Sequence, residues 1–237
     1  MPATVIAERI DWSYSITTLK DRIRAIRPES ASVDPVDRIT YQPGQIAQCD
    51  LWFPAPKIPV GHSQLLMLPV LVMTLGFFRV LTATMIPSRR AGDILAGMWQ
   101  LISDLGIVPK TVIWDRESAI GGTGVVTVPA ASFAGSLAKH IQLAPPRDPE
   151  FKGLVERNNG YLETSFLPGR SFTSPADFNT QLDGWLPRAN HRVVRSIGRR
   201  PEEALAADLA TMTALPISVP STVCVHGFDS DGSITSG

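Results

Sequence analysis

The most apolar stretch of the chain is LLMLPVLVMTLGFF, which spans residues 65–78. It is too short to cross a bilayer as a helix, and Pro69 and Gly76 interrupt it. An apolar run of this kind is typical of a buried strand and of the turn that follows it. Residues 79–86 have the pattern of a returning strand, so the short link at 76–78 predicts an antiparallel hairpin. Any fold for this chain must therefore bury that hairpin in a sheet.

Strand and helix patterns alternate over the rest of the chain, which predicts a mixed α/β fold. The side chains of QIAQCDLWF, residues 45–53, alternate between two faces, as in a strand. Gly106 marks the end of one helix, and Ser174 followed by Pro175 marks the beginning of another. The elements predicted after the hairpin are a helix over 88–106, a strand over 110–115, a helix over 129–141, a short strand over 142–145, a helix over about 152–167, and helices beginning at Pro175 and Pro201.

Upstream of the sheet, residues 4–27 have apolar side chains at helical spacing between Ile16 and Ile26, with Ser15 as an N-cap. Two interpretations stay open: a DNA-reading helix-turn-helix, or an amphipathic helical hairpin with a solvated basic face. A linker rich in Pro, Ser and Asp follows over 27–38. We therefore expect a helical segment over 1–34, a core over 40–210 and a loosely ordered tail over 211–237.

The charge balance gives no indication of a partner, because 22 Lys and Arg residues face 22 Asp and Glu residues. A nucleic-acid binder often has a basic surplus, so any DNA site must come from local clusters. Two cysteines are too few for a disulfide framework or a zinc finger, and the four histidines lack metal-ligand spacing. Glu8, Arg9 and Asp11 interrupt any signal peptide, so we expect an intracellular protein.

The other apolar and aromatic side chains have ordinary packing roles. Trp52 and Trp114 each lie close to an acidic strand residue, and we expect them to pack beside it. The methionines expected in the core are Met67, Met73, Met85 and Met98.

Three acidic residues occupy unusual positions in these elements. Asp50 lies within one strand pattern and Asp115 ends another, although Asp is a poor strand residue. Glu156 lies near the beginning of a helix. The polar stripe of that helix has spacings of four, three and four residues, which keeps one face: Lys152, Glu156, Asn159 and Glu163.

A carboxylate is costly to bury alone, so each of these acids should face a cleft, a cation or a metal. Three carboxylates that converge from two strands and a helix form an all-oxygen site that suits two Mg²⁺ or Mn²⁺ ions. Two such ions can act on a phosphodiester. The alternative is structural, because Asp often forms turns at strand ends and the helix dipole favours Glu near a helix N-terminus.

Longer motifs surround these acids, which 64 and 40 intervening residues separate. QCDLWF and TVIWDRESA each place an Asp in or after a strand. PPRDPEFKGLVERNNGYLETSF contains a Pro-rich loop followed by Lys-Gly-x-Val-Glu-Arg-x-Asn, and NHRVVRSIGRRPEEAL lies further on. Together they resemble the DDE catalytic core of retroviral-integrase-like transposases, a ribonuclease H-like fold, over roughly residues 40–210. The arrangement is most similar to the IstA-type transposases of bacterial insertion sequences.

The resemblance implies a five-stranded sheet of order 3-2-1-4-5, with strands 1 to 3 antiparallel and helices on both faces. It implies that Asp50, Asp115 and Glu156 are the catalytic metal ligands for two Mg²⁺ or Mn²⁺ ions. It also implies cleavage at transposon ends and transfer of the 3′-hydroxyl into target DNA by a homo-oligomer on DNA. An AAA+ ATPase helper and a place in the bacterial cytoplasm, at the nucleoid, follow from the same resemblance.

Polar and basic side chains near the acids are candidate phosphate ligands. The cations Lys152 and Arg157 flank Glu156, and Asn159 shares their polar stripe.

The segment 188–200 contributes five further candidate DNA-binding residues: Arg188, Arg192, Arg195, Arg199 and Arg200. The alternative for these arginines is a solvated loop with ion pairs to Glu202 and Glu203.

Two departures from the family pattern favour an alternative function. Arg116 and Glu117 follow the second Asp, where the family often has Asn-Gly, and the β-rich C-terminal domain of the family does not follow the core before Gly237. A truncated, non-catalytic DNA-binding remnant is therefore the alternative function. A carboxylate-pair hydrolase such as a glycosidase ranks last, because it accounts for neither the third acid nor the neighbouring cations.

Overall fold

The computed structural model describes residues 10, 12–30, 41–145, 157–194 and 197–220, except for the side chains of residues 27–30, 204 and 208. The chain divides into two compact units, Met1–Arg38 and Ile39–Gly237. None of the described helices is both long and apolar enough to cross a membrane.

In the first unit the described helix is α1, Ile16–Ser30. Ser15 caps it as predicted, since its Oγ accepts a hydrogen bond from the Thr18 N–H at 3.1 Å. The helix extends beyond residue 27, where the sequence predicted a linker. Residues 1–9 and 11 lie outside the described residues, so the helix-turn-helix stays a prediction.

The second unit contains a sheet with helices on both faces. Its strands are β1 (Ile46–Trp52), β2 (Ile58–Pro59), β3 (Leu65–Leu66), β4 (Val70–Leu75), β5 (Leu81–Met85), β6 (Ile107–Val108), β7 (Thr111–Trp114), β8 (His140–Leu143) and β9 (Thr213–Ala214). Its helices are α2 (Ala91–Leu105), α3 (Ser118–Gly121), α4 (Val128–Ser136), α5 (157–161, continued by a π-helix over Leu162–Phe166), α6 (Pro175–His191) and α7 (Pro201–Leu209).

The central sheet has the order β5-β4-β1-β7-β8. Strand β1 pairs antiparallel with β4, and β4 pairs antiparallel with β5. On its other side β1 pairs in parallel with β7, which pairs in parallel with β8. The predicted order 3-2-1-4-5 and the predicted antiparallel hairpin are thereby confirmed.

Two strand boundaries differ from the prediction. The apolar run is divided before Val70, and β3 instead pairs with β2 in a separate two-stranded ribbon. Met67 lies in the break and is 51% exposed, so its predicted place in the core is wrong. The last sheet strand begins at His140 rather than at residue 142, because α4 already ends at Ser136.

The two faces of the sheet carry separate apolar layers. Ala47, Cys49 and Leu51 of β1 belong to the first layer, which includes side chains of α2 and α4. Trp52 of β1 and Val72 of β4 belong to the second layer, which includes side chains of α5 and α6. The alternation of β1 therefore gives each layer every second residue.

Local sequence accounts for the helices that form these layers. The buried residues Ile94, Met98 and Leu101 follow one face of α2, which ends where Gly106 adopts a left-handed conformation with φ 74°. Helix α6 begins as predicted, since the Ser174 Oγ accepts a hydrogen bond from the Asp177 N–H. Its buried side chains lie at helical spacing: Phe178, Leu182, Trp185 and Ala189.

Helix α6 also covers the free edge of the sheet. The Asn190 side chain accepts a hydrogen bond from the Leu81 N–H and donates one to the Leu81 carbonyl, both at 2.9 Å. Asn179 does the same at Met85, at 2.7 and 3.1 Å. Two asparagines thus occupy backbone groups of β5 that an open edge would present to another chain.

The end of the described chain packs on the first layer. Met212 and Leu215 contact that layer, and β9 pairs antiparallel with β6. The segment predicted as a loosely ordered tail from residue 211 thus contains a strand near its beginning, because two apolar side chains pack on the first layer and β9 forms a separate two-stranded sheet with β6.

We predict that Asn190→Ala and Asn179→Ala each lower the free energy of unfolding by about 1–3 kcal/mol, since each leaves a donor and an acceptor of β5 without the asparagine partner. Urea unfolding of the second unit measures this loss. Thr180→Ala is the matched control, because that exposed hydroxyl bonds only to Ala176 of its own helix. An equal loss in the control would contradict the edge-covering role.

Candidate active site

Asp50 and Asp115 lie next to each other at one edge of the sheet. In the parallel pairing of β1 with β7, Cys49 is in register with Trp114. The next residues of the two segments are Asp50 and Asp115, so the alternation of a strand predicts both side chains on the face opposite to Cys49 and Trp114. Neighbouring strands lie about 4.8 Å apart, so two carboxylates in this arrangement can share a cation. Both side chains are partly exposed.

Helix α5 lies across β1 on the side of the second layer. The Asn159 Nδ2 donates a hydrogen bond to the Asp50 Oδ2 at 3.0 Å. One turn later the Glu163 Oε2 accepts a hydrogen bond from the Trp52 Nε1 at 3.1 Å. The polar stripe predicted for this helix therefore contacts the strand that carries Asp50, at two successive positions.

Further polar groups continue this contact between helix and sheet. The Asn158 Nδ2 donates to the Thr74 Oγ1 at 2.8 Å, and both side chains are buried. The Gln48 side chain is also buried. We call this row of Gln48, Asp50, Thr74, Asn158 and Asn159 the polar seam. It provides hydrogen bonds inside an otherwise apolar interface, where an unmade bond is costly.

The side-chain oxygen of Asn159, in the polar seam, has no hydrogen-bond partner among the described residues. The Asn159 Oδ1 is buried and accepts no hydrogen bond, while the Nδ2 of the same amide holds Asp50. A buried carbonyl oxygen on the amide that bonds to Asp50 adds a hard oxygen donor next to that carboxylate. This donor set fits Mg²⁺ or Mn²⁺, which prefer oxygen ligands.

The third predicted ligand, Glu156, lies outside the described residues, as do the predicted DNA-binding residues Lys152 and Arg195. Within the part of the chain that the structure describes, no group of three His, Cys, Asp or Glu could hold a metal ion. Asp50 and Asp115 therefore form the described portion of the site, and Glu156 stays a prediction based on its spacing from Asn159.

Cys49, which precedes Asp50, takes no part in the site. Its side chain belongs to the first apolar layer, on the opposite face from Asp50. Burial, and secondarily the charge of Asp50, raise the pKa of the Cys49 thiol far above its usual range. The thiol stays protonated and is a poor metal ligand.

The basic residues predicted to bind DNA differ in their surroundings. Arg157, Arg188 and Arg199 are exposed. The Arg192 guanidinium lies 3.4 Å from the centroid of the Tyr161 ring, two residues after Asn159. The Arg200 guanidinium pairs with Glu203 at 3.5 Å, which is the ion pair of the alternative interpretation. Glu202 instead pairs with His191.

Sequence reasoning missed a contact beside the two aspartates. The Arg89 Nη2 lies 3.1 and 2.8 Å from the two carboxylate oxygens of Glu117. The same guanidinium lies 5.4 Å from the centroid of the Phe53 ring. We call this set of Phe53, Arg89 and Glu117 the arginine bridge. No periodicity could have indicated it, because its members leave three different strands.

We predict that Asn159→Ala lowers the free energy of unfolding by about 1–2 kcal/mol in EDTA, because Asp50 loses a hydrogen-bond donor. Asn159→Asp should cost more at pH 7, since it replaces that donor with a like charge. The additional loss should shrink toward pH 4, where one carboxylate takes up a proton. Urea unfolding at both pH values measures these differences.

Glu163→Gln is the control for these variants. It changes the charge of α5 by one, as Asn159→Asp does in the opposite direction, but its amide oxygen can still accept the hydrogen bond from the Trp52 Nε1. If the free energy of unfolding of Asn159→Asp at pH 7 equals that of the wild type, the Asn159–Asp50 hydrogen bond does not contribute to stability.

The chain is similar to known proteins in sequence and in fold. No protein-family model matches the chain. Over 210 residues the chain is 28% identical to "Putative transposase for insertion sequence element IS5376" of Geobacillus stearothermophilus, which covers 85% of this chain. The chain spans 50% of the length of that relative.

Two solved structures share the fold at low sequence identity. One is a chain of the simian T-cell lymphotropic virus intasome in complex with the PP2A regulatory subunit B56 gamma, with a TM-score of 0.56 and 17% identity over 92% of this chain and 79% of that one. The other is the catalytic core domain of BIV integrase, with a TM-score of 0.51 and 16% identity over 69% of this chain and 94% of that one. The five-stranded sheet and its helices therefore have the fold of a retroviral integrase catalytic core, and the sequence is similar to that of an insertion-sequence transposase.

Proposed function

We propose that this chain is a metal-dependent DNA strand transferase that cuts transposon ends and joins the 3′-hydroxyl to target DNA. The observation that carries the proposal is that Asp50, within β1, and Asp115, directly after β7, each follow the in-register pair Cys49 and Trp114, with the Asn159 amide bonded to Asp50. The 28% identity to an insertion-sequence transposase supports the same class of reaction.

Asp50, Asp115 and Glu156 would hold two Mg²⁺ or Mn²⁺ ions, as their all-oxygen chemistry favours. When bound, such ions supply Lewis-acid stabilisation of the charge that develops on a phosphodiester and activate an attacking hydroxyl. The contribution of Asn159 is orientation: its Nδ2 holds one oxygen of Asp50 in place, and its Oδ1 adds an oxygen to the same face.

The exposed cations would bind the phosphates that flank the reacting bond. Arg157 lies in the helix that carries Asn159, and Arg188 and Arg199 extend the basic surface. Arg192 has its guanidinium on the Tyr161 ring, which fixes its position beside α5. We assign Lys152, Arg195 and Arg200 to the same DNA surface from the sequence.

The partners in this proposal are transposon-end and target DNA and further copies of the chain. One solved structure with this fold is that of an intasome, and this likeness of fold supports a similar assembly for this chain. An AAA+ ATPase helper follows from the resemblance to IstA-type transposases. The segment 1–34 would then contribute to DNA binding, in the bacterial cytoplasm at the nucleoid.

The test is strand transfer by the purified chain with Mn²⁺ and DNA that carries the sequences flanking its gene. We predict that Asp50→Asn, Asp115→Asn and Glu156→Gln each lower the rate by at least about a hundredfold, because each removes a carboxylate ligand. DNA affinity should stay within a few-fold, since the exposed arginines carry it.

Two outcomes would contradict the proposal. Product that Asp50→Asn leaves unchanged would come from a contaminating nuclease. DNA binding with a steep salt dependence, but without transfer by the wild-type chain, would favour the non-catalytic DNA-binding remnant.

A further inference from the structure

Glu117 is an additional acid two residues beyond Asp115, and the proposed reaction gives it no role. Its side chain is only 10% exposed, and it accepts hydrogen bonds from Arg89 and from the Ser118 Oγ. Its N–H donates to the Asp115 carbonyl at 2.8 Å, and its carbonyl accepts from the N–H groups of Ile120 and Gly121. Glu117 thus fixes the tight turn that carries Asp115 into α3.

Arg89 reaches this turn from another part of the sheet. It lies in the loop between β5 and α2, where the Ser88 hydroxyl bonds to the buried carboxylate of Asp93 in the first turn of α2. The loop is therefore anchored independently of Glu117. Strand β5 runs parallel to β1 and β7, because both β5 and β1 are antiparallel to β4. Arg89 therefore follows β5 at the same end of the strands as Asp50 and Asp115.

Phe53 connects the arginine bridge to the third segment at this edge. It follows the last residue of β1, three residues after Asp50, and its ring faces the Arg89 guanidinium at 5.4 Å. One guanidinium therefore contacts the residue directly after β1 and a residue three positions after β7. Arginine suits this place, because its planar group stays charged and can lie against a ring while it bonds to a carboxylate.

We propose that the arginine bridge positions Asp115 relative to Asp50, with Arg89 and Glu117 as positioning residues for the metal ligands. This inference rests on the proposed function for its purpose. A carboxylate pair at the ends of two strands binds divalent ions well only when the separation of its oxygens is fixed. The bridge restrains that separation from the solvent side, while Asn159 restrains Asp50 from the helix side.

The test begins with the full chain in EDTA, where hydrogen exchange of peptides covering 113–124 measures opening of the turn. Arg89→Ala and Glu117→Ala should each speed exchange about tenfold, the factor expected for a lost charge-assisted hydrogen bond. The double variant should exchange no faster than either single one, because the two residues act as a pair. Arg89→Lys should recover part of the protection.

Arg90→Ala is the matched control for this experiment. It removes the same charge from the neighbouring exposed residue, which caps α2 through its backbone without a side-chain hydrogen bond. Exchange in Arg90→Ala should equal that of the wild type. Exchange in Arg89→Ala that stays within twofold of the wild type would overturn the inference.

A second measurement separates positioning from DNA contact. In strand transfer, Arg89→Ala should raise the Mn²⁺ concentration for half-maximal rate about tenfold and leave the KM for DNA unchanged, because the lost restraint acts on the ligands. A raised KM for DNA with unchanged Mn²⁺ dependence would overturn the inference in favour of a phosphate contact. A wild-type chain that transfers no strand, yet shows the exchange effect, would remove the proposed function and leave the restraint of the turn standing.

Discussion

The parallel pairing of β1 with β7 is the constraint on which the candidate site depends. Asp50 and Asp115 are separated by 64 residues, and only this pairing makes them neighbours. A parallel pair requires a crossover, and here the crossover contains the hairpin of β4 and β5 and the helix α2. A shift of one residue in the register would turn Asp115 toward the first apolar layer. The buried side chains Cys49 and Trp114 oppose such a shift, because both must stay in that layer.

The polar seam supplies the hydrogen bonds that a carboxylate needs in a sheet that helices cover on both faces. Burying Asp50 beside Trp52 and Val72 would be unfavourable without donors, and α5 supplies one through Asn159. The same helix supplies Asn158 to Thr74 and Glu163 to Trp52. A π-helical turn begins directly after this helical segment, and such turns are frequent at functional sites. The interface between α5 and the sheet thus combines apolar packing with hydrogen bonds between specific pairs of side chains.

The sequence predicted the strands of the central sheet from local signatures, and it predicted their order through the resemblance to a known family. The apolar run, the alternation of residues 45–53 and Gly106 are short-range patterns, and the motifs around Asp50 and Asp115 connected them to a known fold. The position of Met67 could not be predicted from hydrophobicity, because the pairing of β3 with β2 decides its exposure. The arginine bridge and the asparagines that cover β5 join residues far apart in the chain, and side-chain contacts of this kind leave no periodic pattern.

The balance of 22 basic and 22 acidic residues is compatible with DNA binding once the partners of the acids are considered. Glu117 is held by Arg89, Glu203 by Arg200 and Glu202 by His191. Glu117 and Glu203 are thus each neutralised by an arginine, whereas Arg188 and Arg199 stay exposed. Under the proposed function, two bound divalent ions would add about four positive charges at the candidate site, because a bound ion is often the largest local charge of its site. The proposed metal-loaded chain would therefore attract DNA more strongly than its formal charge indicates, and the attraction would be greatest at the candidate site.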